Sequence, residues 1–181
     1  QSQEKTVRPI QFESEGVRLL PEPYQKFIAS LVHVFRNSVD HGIELPDDRT
    51  AAGKDEFGSI SVSSKFVENG NGERRLSVVI KDDGKGIDIK KLREKLVKDK
   101  GPEHTALLND SEVMLTIFEA GISSRDQVGE FSGRGVGMDA VKNAVEELGG
   151  SVQVDSTFGK ETRIAIDLPD LSRETARVVA A

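Results

Sequence analysis

Residues 58–86 read GSISVSSKFVENGNGERRLSVVIKDDGKG. Two runs rich in Val, Ile, Leu and Ser, at 58–67 and 74–82, flank Asn69-Gly70-Asn71-Gly72. Asn-Gly between two such runs is a strong hairpin signal, so the stretch predicts two antiparallel strands that end in a tight Asp82–Gly86 turn. A second pair of runs, 151–156 and 161–167, is joined by Thr157-Phe158-Gly159-Lys160. Between and before the hairpins the period changes to that of helices. Pro21 and Pro23 punctuate a turn, a helix follows over 24–41, and Gly42 stops it. A basic helix is expected over 88–100, and another from the glycines at 133–137 to Leu148, capped by Gly149-Gly150. A roughly alternating segment at 7–13 reads as a first strand, and 44–58 as a loop rich in Pro, Asp and Gly. Residues 101–132 are polar apart from Val113 to Phe118, and read as a mobile lid holding one short helix. The order is strand, helix, two strands, helix, lid, helix, two strands. It predicts an α/β two-layer sandwich with helices on one face of a mixed sheet. The expected organisation is one domain over 1–181, with its core at 7–169 and a tail at 170–181.

The bulk properties fit. A chain of 181 residues suits one domain. Hydrophobic residues make up 36% and charged residues 31%, an ordinary soluble composition, and there is no cysteine for disulfides or thiolate metal sites. No apolar run approaches the ~20 residues of a membrane span, and residues 1–6 lack a signal-peptide core, so a cytoplasmic location without membrane contact is expected. The first residue is Gln1, which fits a piece cut from a longer protein. The net charge is -6 with dispersed Lys and Arg, which argues against nucleic acid as a partner.

Three clusters carry chemistry. On the first helix, at about 100° per residue, Phe27, Ile28, Leu31, Phe35 and Val39 form an apolar face, opposite His33, Arg36, Asn37, Asp40 and His41. A solvated polar face is the ordinary reading, but such faces are mostly Lys and Glu, and Asn, Asp and His are poorer helix formers. An amide oxygen flanked by imidazoles suits a hydrated Mg²⁺ and the phosphates it carries. The second cluster is Asp82-Asp83-Gly84-Lys85-Gly86 at a strand end. It is either a common Asp-Gly turn or a carboxylate that accepts from a base amino group, with glycines allowing close backbone approach. The third is Gly133-Arg134-Gly135-Val136-Gly137-Met138 at a helix start, where backbone N–H groups form an anion site. The glycine spacing departs from the dinucleotide fingerprint G-x-G-x-x-G, and no strand precedes it. A flexible joint is the other reading.

In this order the clusters resemble the nucleotide site of the superfamily that joins gyrase, the ninety-kilodalton heat-shock chaperones, histidine kinases and MutL. The resemblance is strongest to the ATP-binding domain of chemotaxis-type (CheA-like) histidine kinases. HVFRNSVDHGIE (33–44) resembles that family's N box, DDGKGID (82–88) its G1 box, SGRGVGMDAV (132–141) its G2 box, and STFGKETRIAIDLP (156–169) its G3 region. The resemblance implies an ATP-binding fold with a mobile lid. Asn37 would coordinate Mg²⁺, Asp82 would hold the adenine amino group, and Gly86 would lie beneath the base. Gly133, Gly135 and Gly137 would wrap the phosphates, and His33 and His41 would face them. Lys85, Lys90 and Lys91 are basic candidates for phosphate contact, and Thr162 would lie near the adenine. In the ATP-hydrolysing branches a Glu four residues before the Asn activates water. His33 holds that place here, so slow hydrolysis and transfer to another nucleophile are implied. The family's F-x-P-G-F-S-T before the G2 box is Phe118-Glu119-Ala120-Gly121-Ile122-Ser123-Ser124 here, without its Pro and second Phe, which bears on lid closure.

The resemblance implies a protein histidine kinase domain that passes the ATP γ-phosphoryl group to a histidine-containing phosphotransfer domain and onward to a response regulator. Dimerisation would come from elements outside this chain. An ATP-binding switch without transfer, and a serine kinase of the anti-sigma type, are the alternatives.

Overall fold

The computed structural model describes residues 4–119 and 137–171. The strands are β1 (Gln11–Ser14), β2 (Ile60–Glu68), β3 (Arg74–Asp82), β4 (Ser151–Thr157) and β5 (Glu161–Pro169). They form one mixed sheet in the order β1-β2-β3-β5-β4. Only β1 and β2 pair in parallel; every other neighbour is antiparallel. The period-2 pattern sets the faces. Leu76, Val78 and Ile80 of β3 and Ile164, Ile166 and Leu168 of β5 are buried, while Ser77 and Lys81 point the other way.

Helices α1 (Pro21–Asn37) and α6 (Met138–Glu147) cover the buried face. Tyr24, Phe27 and Val34 of α1 and Met138, Val141 and Val145 of α6 join the strand residues in one core. At ~25 cal/mol per Å² of apolar surface, each such side chain contributes about 1.5–3 kcal/mol. The Tyr24 hydroxyl donates to Pro169 O and accepts from Leu171 N, both at 2.8 Å, and so ties the end of β5 to the start of α1.

Several local expectations are corrected. Ile28, expected on the apolar face, is about half exposed, because the buried stripe runs through Tyr24, Phe27, Ser30 and Val34. The helix does not run uninterrupted to residue 41. It ends at Asn37 and passes into a π-turn, Ser38–Gly42, closed by Ile43 N–H donating to Ser38 O at 2.7 Å. The segment 44–58 contains a short helix, α2 (Pro46–Ala51), and the first strand starts at Gln11, with Val7 forming only an isolated bridge to Gly58.

Helix α3 (Ile89–Lys100) follows β3, with Asp88 as its N-cap. In place of a loop with one short helix, residues 101–119 hold α4 (Pro102–Ala106), α5 (Asp110–Leu115) and a 3₁₀ turn (Thr116–Phe118). Asn109 and Glu112 form a capping box on α5. Leu96 and Val113 are buried in a small cluster of their own, with Ile89, Leu92 and Leu108 packed on it. The rest of the expected lid, 120–132, lies outside the described residues.

Candidate functional site

Alternation along β3 calls for an apolar side chain at 82, and the chain supplies a carboxylate. Asp82 continues the row Leu76, Val78, Ile80 and is 5% exposed. Its register partner on β5 is Thr162, and Ser156 of β4 pairs with Thr162 in turn. Three adjacent core-facing rows therefore end in polar side chains at the same edge of the core. Ser156 Oγ donates to Glu161 O (2.7 Å) and accepts from Ile87 N (2.8 Å), which fastens the chain after the G1 turn to the β4–β5 hairpin.

Asp82 and Thr162 floor a cavity of about 310 Å³. Val34, Asn37, Ser38, His41 and Gly42 line it from α1 and the π-turn. Asp82, Lys85, Gly86 and Ile87 line it from the G1 turn, and Thr162 and Ile164 from β5. Ile117 and Met138 complete the wall. The lining is mostly apolar, with one carboxylate at the base and a carboxamide at the side. That arrangement suits a flat heterocycle bearing an amino group.

Asp82 is held at both oxygens. Ser38 Oγ donates to Oδ2 at 2.8 Å and Gly84 N–H to Oδ1 at 3.1 Å. Burial pushes its carboxyl above the ordinary carboxylate range. The two hydrogen bonds oppose that shift, and the neighbouring charges of Asp83 and Glu44 add to it. The α1 end and the G1 turn meet backbone to backbone. A Cβ on Gly84 would lie 2.4 Å from Gly42 C and O, and Lys85 N–H donates to Gly42 O at 2.9 Å. Gly86 has φ 68° and would place a Cβ 2.3 Å from Thr157 O, so only glycine fits there.

The residues singled out from sequence divide into groups. Asn37, His41, Asp82, Lys85, Gly86, Met138 and Thr162 come together around the cavity, and Gly84 forms the turn beneath it. His33 does not line it; it lies in a groove between α1 and α6 with Lys26, Asn143 and Glu147. Arg36, Asp40, Lys90 and Lys91 are also outside the lining, and Lys91 sits 3.9 Å from Asp88. Gly137 is the N-cap residue of α6, its N–H donating to Asp139 Oδ1 at 2.9 Å. Gly133, Arg134, Gly135 and Val136 lie outside the described residues. Ser38 and Gly42 were missed, although both fall inside the N-box stretch. Arg49, equally unforeseen, is 1% exposed in α2 and pairs with Glu44 and Asp83.

Residues 28–172 match the family described as histidine kinase-, DNA gyrase B- and HSP90-like ATPase. The chain belongs to this family. The match spans both sides of the cavity, from α1 to the end of β5. Among curated relatives, a gliding motility regulatory protein of Myxococcus xanthus is 44% identical over 77% of this chain and 18% of its own length. The chemotaxis protein CheA of Rhizobium meliloti is 37% identical over 91% of this chain and 21% of its own, and that of Bacillus subtilis 42% over 77% and 20%. The chain thus spans about a fifth of the length of these relatives. Among solved structures, the Acinetobacter baumannii histidine kinase AdeS matches at a TM-score of 0.50 and 15% identity, over 93% of this chain and 56% of its own. Full-length ShkA in complex with AMPPNP matches at 0.50 and 15%, over 88% and 25%. At that identity the structural likeness concerns the fold.

Proposed function

We propose that the cavity binds Mg-ATP and that the domain transfers the γ-phosphoryl group to a histidine on a separate phosphotransfer domain, for onward passage to a response regulator in a cytoplasmic two-component pathway. The observation that carries this reading is Asp82, a buried carboxylate at the floor of an apolar cavity with Asn37 at its side. The adenine ring would lie among Val34, Ile87, Met138 and Ile164 and give its amino hydrogen to Asp82. Among the described residues no group of three or more His, Cys, Asp or Glu side chains could cage a metal. A hydrated Mg²⁺ brought in by the phosphates would be touched by the Asn37 carboxamide. The ion would supply charge neutralisation on the transferring group. Lys85 stands at the cavity to add a positive charge, and Lys90, Lys91 and Arg134 are further candidates along the phosphates, with Gly133, Gly135 and Gly137 as backbone donors. His33, one helical turn before Asn37, lies outside the cavity in the groove between α1 and α6, and would reach the terminal phosphate only where the triphosphate extends past Asn37.

A neutral imidazole nitrogen of the acceptor gives its lone pair to the γ-phosphorus, and the bond from that phosphorus to the bridging oxygen breaks with its electrons leaving on ADP. Position 33 holds His in place of the Glu that activates water in the hydrolysing branches, which favours the acceptor histidine over hydrolysis. The 37–44% identity to CheA proteins and the gliding motility regulator supports the histidine branch over the serine kinases.

The test combines the domain, labelled ATP and a histidine phosphotransfer domain from the same cell. Acid-labile label on the acceptor, lost with Asn37→Ala, is the expected result. Acid-stable label would make it a serine kinase. Tight nucleotide binding without any transfer would make it a switch.

A further inference from the structure

The turn that carries Asp82 is built on two enclosed cations, Arg49 buried and Lys54 partly buried. Arg49 uses all five of its N–H donors. Nε donates to Asp55 O (2.7 Å), Nη1 to Glu44 Oε2 (3.1 Å) and Asp83 O (3.2 Å), and Nη2 to Asp83 Oδ2 (2.9 Å) and Phe57 O (3.3 Å). Lys54 uses all three, to Glu44 Oε1 (2.7 Å), Asp83 O (3.0 Å) and Gly84 O (2.7 Å). Charged groups this enclosed are costly unless fully partnered, and here each donor has an acceptor. Four of these eight bonds end on the Asp83–Gly84 segment.

The peptide unit between Asp83 and Gly84 links this cluster to the site. Its carbonyl end accepts from both Arg49 and Lys54, and its N–H end donates to Asp82 Oδ1 at 3.1 Å. Two cations at the oxygen polarise the peptide and strengthen the N–H as a donor. Asp83 is also pinned at Oδ1 by Ser59 N–H (2.8 Å). The peptide plane cannot turn without breaking several charge-assisted bonds, and while it stays the Asp82 carboxylate keeps its angle.

Resting on the nucleotide reading above, we propose that Arg49 and Lys54 are positioning residues for base recognition. They orient the Asp83–Gly84 peptide, which orients Asp82 toward the amino group of adenine. Neither touches the ligand; both decide how well the site tells an amino-purine from an oxo-purine. Without them the Gly84 donor loses its fixed angle and Asp82 keeps only the Ser38 bond at Oδ2, so the distinction fades while phosphate contacts persist.

The experiment measures calorimetric affinity for Mg-AMPPNP and for its inosine counterpart, in which a carbonyl oxygen replaces the amino group. The parent chain is expected to prefer the adenine form by at least about 10-fold, the value of one hydrogen bond to a charged group. Lys54→Met is expected to bring the two affinities within about 3-fold by weakening the adenine form alone, and Lys54→Arg, which keeps a cation and donors, to restore the preference. Thermal melts establish that each variant is folded, and Lys54→Gln replaces Lys54→Met if the latter is not. An unchanged preference in the folded variant, or equal weakening of both nucleotides, overturns the positioning role. Failure of the parent itself to bind or discriminate overturns the nucleotide reading instead, and the proposal with it.

Discussion

On the nucleotide reading, Asp82 serves binding at the expense of folding. Its folded carboxyl titrates above its unfolded value, chiefly through burial. As pH rises past the ordinary carboxylate pKa, the unfolded chain ionises first. Stability is therefore full below that point, falls through the interval up to the raised folded value, and stays reduced above it. Asp82→Asn removes this penalty and can keep both local bonds, since its oxygen can accept from Gly84 and its amide can donate to Ser38. A melting temperature equal to or above the parent's at pH 7 is expected, with nucleotide affinity weakened about 10- to 100-fold. In the parent, affinity should decline as pH falls through the raised carboxyl pKa, because only the ionised form is a pure acceptor; a flat calorimetric profile across that range would contradict this. Sequence reading reached Asp82, Asn37, His41 and Lys85 because polar side chains stood where the helix or strand pattern changed, and Thr162 only through the resemblance of its stretch to the family's G3 region. It missed Arg49, since an arginine in a stretch rich in Asp and Gly looks solvated until the partners Glu44 and Asp83 fold around it. It grouped His33 with Asn37 by helical spacing, which cannot show that α6 packs alongside and places His33 in a different groove.

At the level of elements, the four long strands and helices α1, α3 and α6 were legible because each spans enough residues to show its period. Helices α2 and α4, of six and five residues, are too short to show one, and α5 was legible only as one short helix near Val113–Phe118. The π-turn after Asn37 was invisible for a different reason: its cause is tertiary. Gly42 must meet the G1 turn, with Lys85 N–H on its carbonyl. That approach leaves no room for a side chain at Gly84, where a Cβ would sit 2.4 Å from Gly42 backbone. Gly84→Ala should therefore force α1 and β3 apart and cost about 1–3 kcal/mol, read as a lower urea midpoint. Gly70→Ala, in the β2–β3 turn with nothing within 4 Å of its Cβ, is the control and should cost far less.

Across the whole molecule, the apolar residues divide unequally. One large core joins the sheet to α1 and α6, while Leu96 and Val113 anchor a small separate cluster between α3 and α5. A cluster with so few buried members opens at lower free energy than the main core. Leu96→Ala, which empties a fully buried site, should cost about 2–5 kcal/mol locally. Hydrogen exchange in α3 and α5 should accelerate strongly, while β3 and β5 keep their protection; equal acceleration in both would show one cooperative unit. The antiparallel register of β3 and β5 has a consequence for anyone preparing this domain. Asp82 faces the cavity beside Thr162 only because their strands pair at that one alignment. A slip by a single position would turn the carboxylate to the solvent side and leave the strand content unchanged. Circular dichroism would pass such material as native, whereas nucleotide titration would count the fraction of chains with the correct alignment.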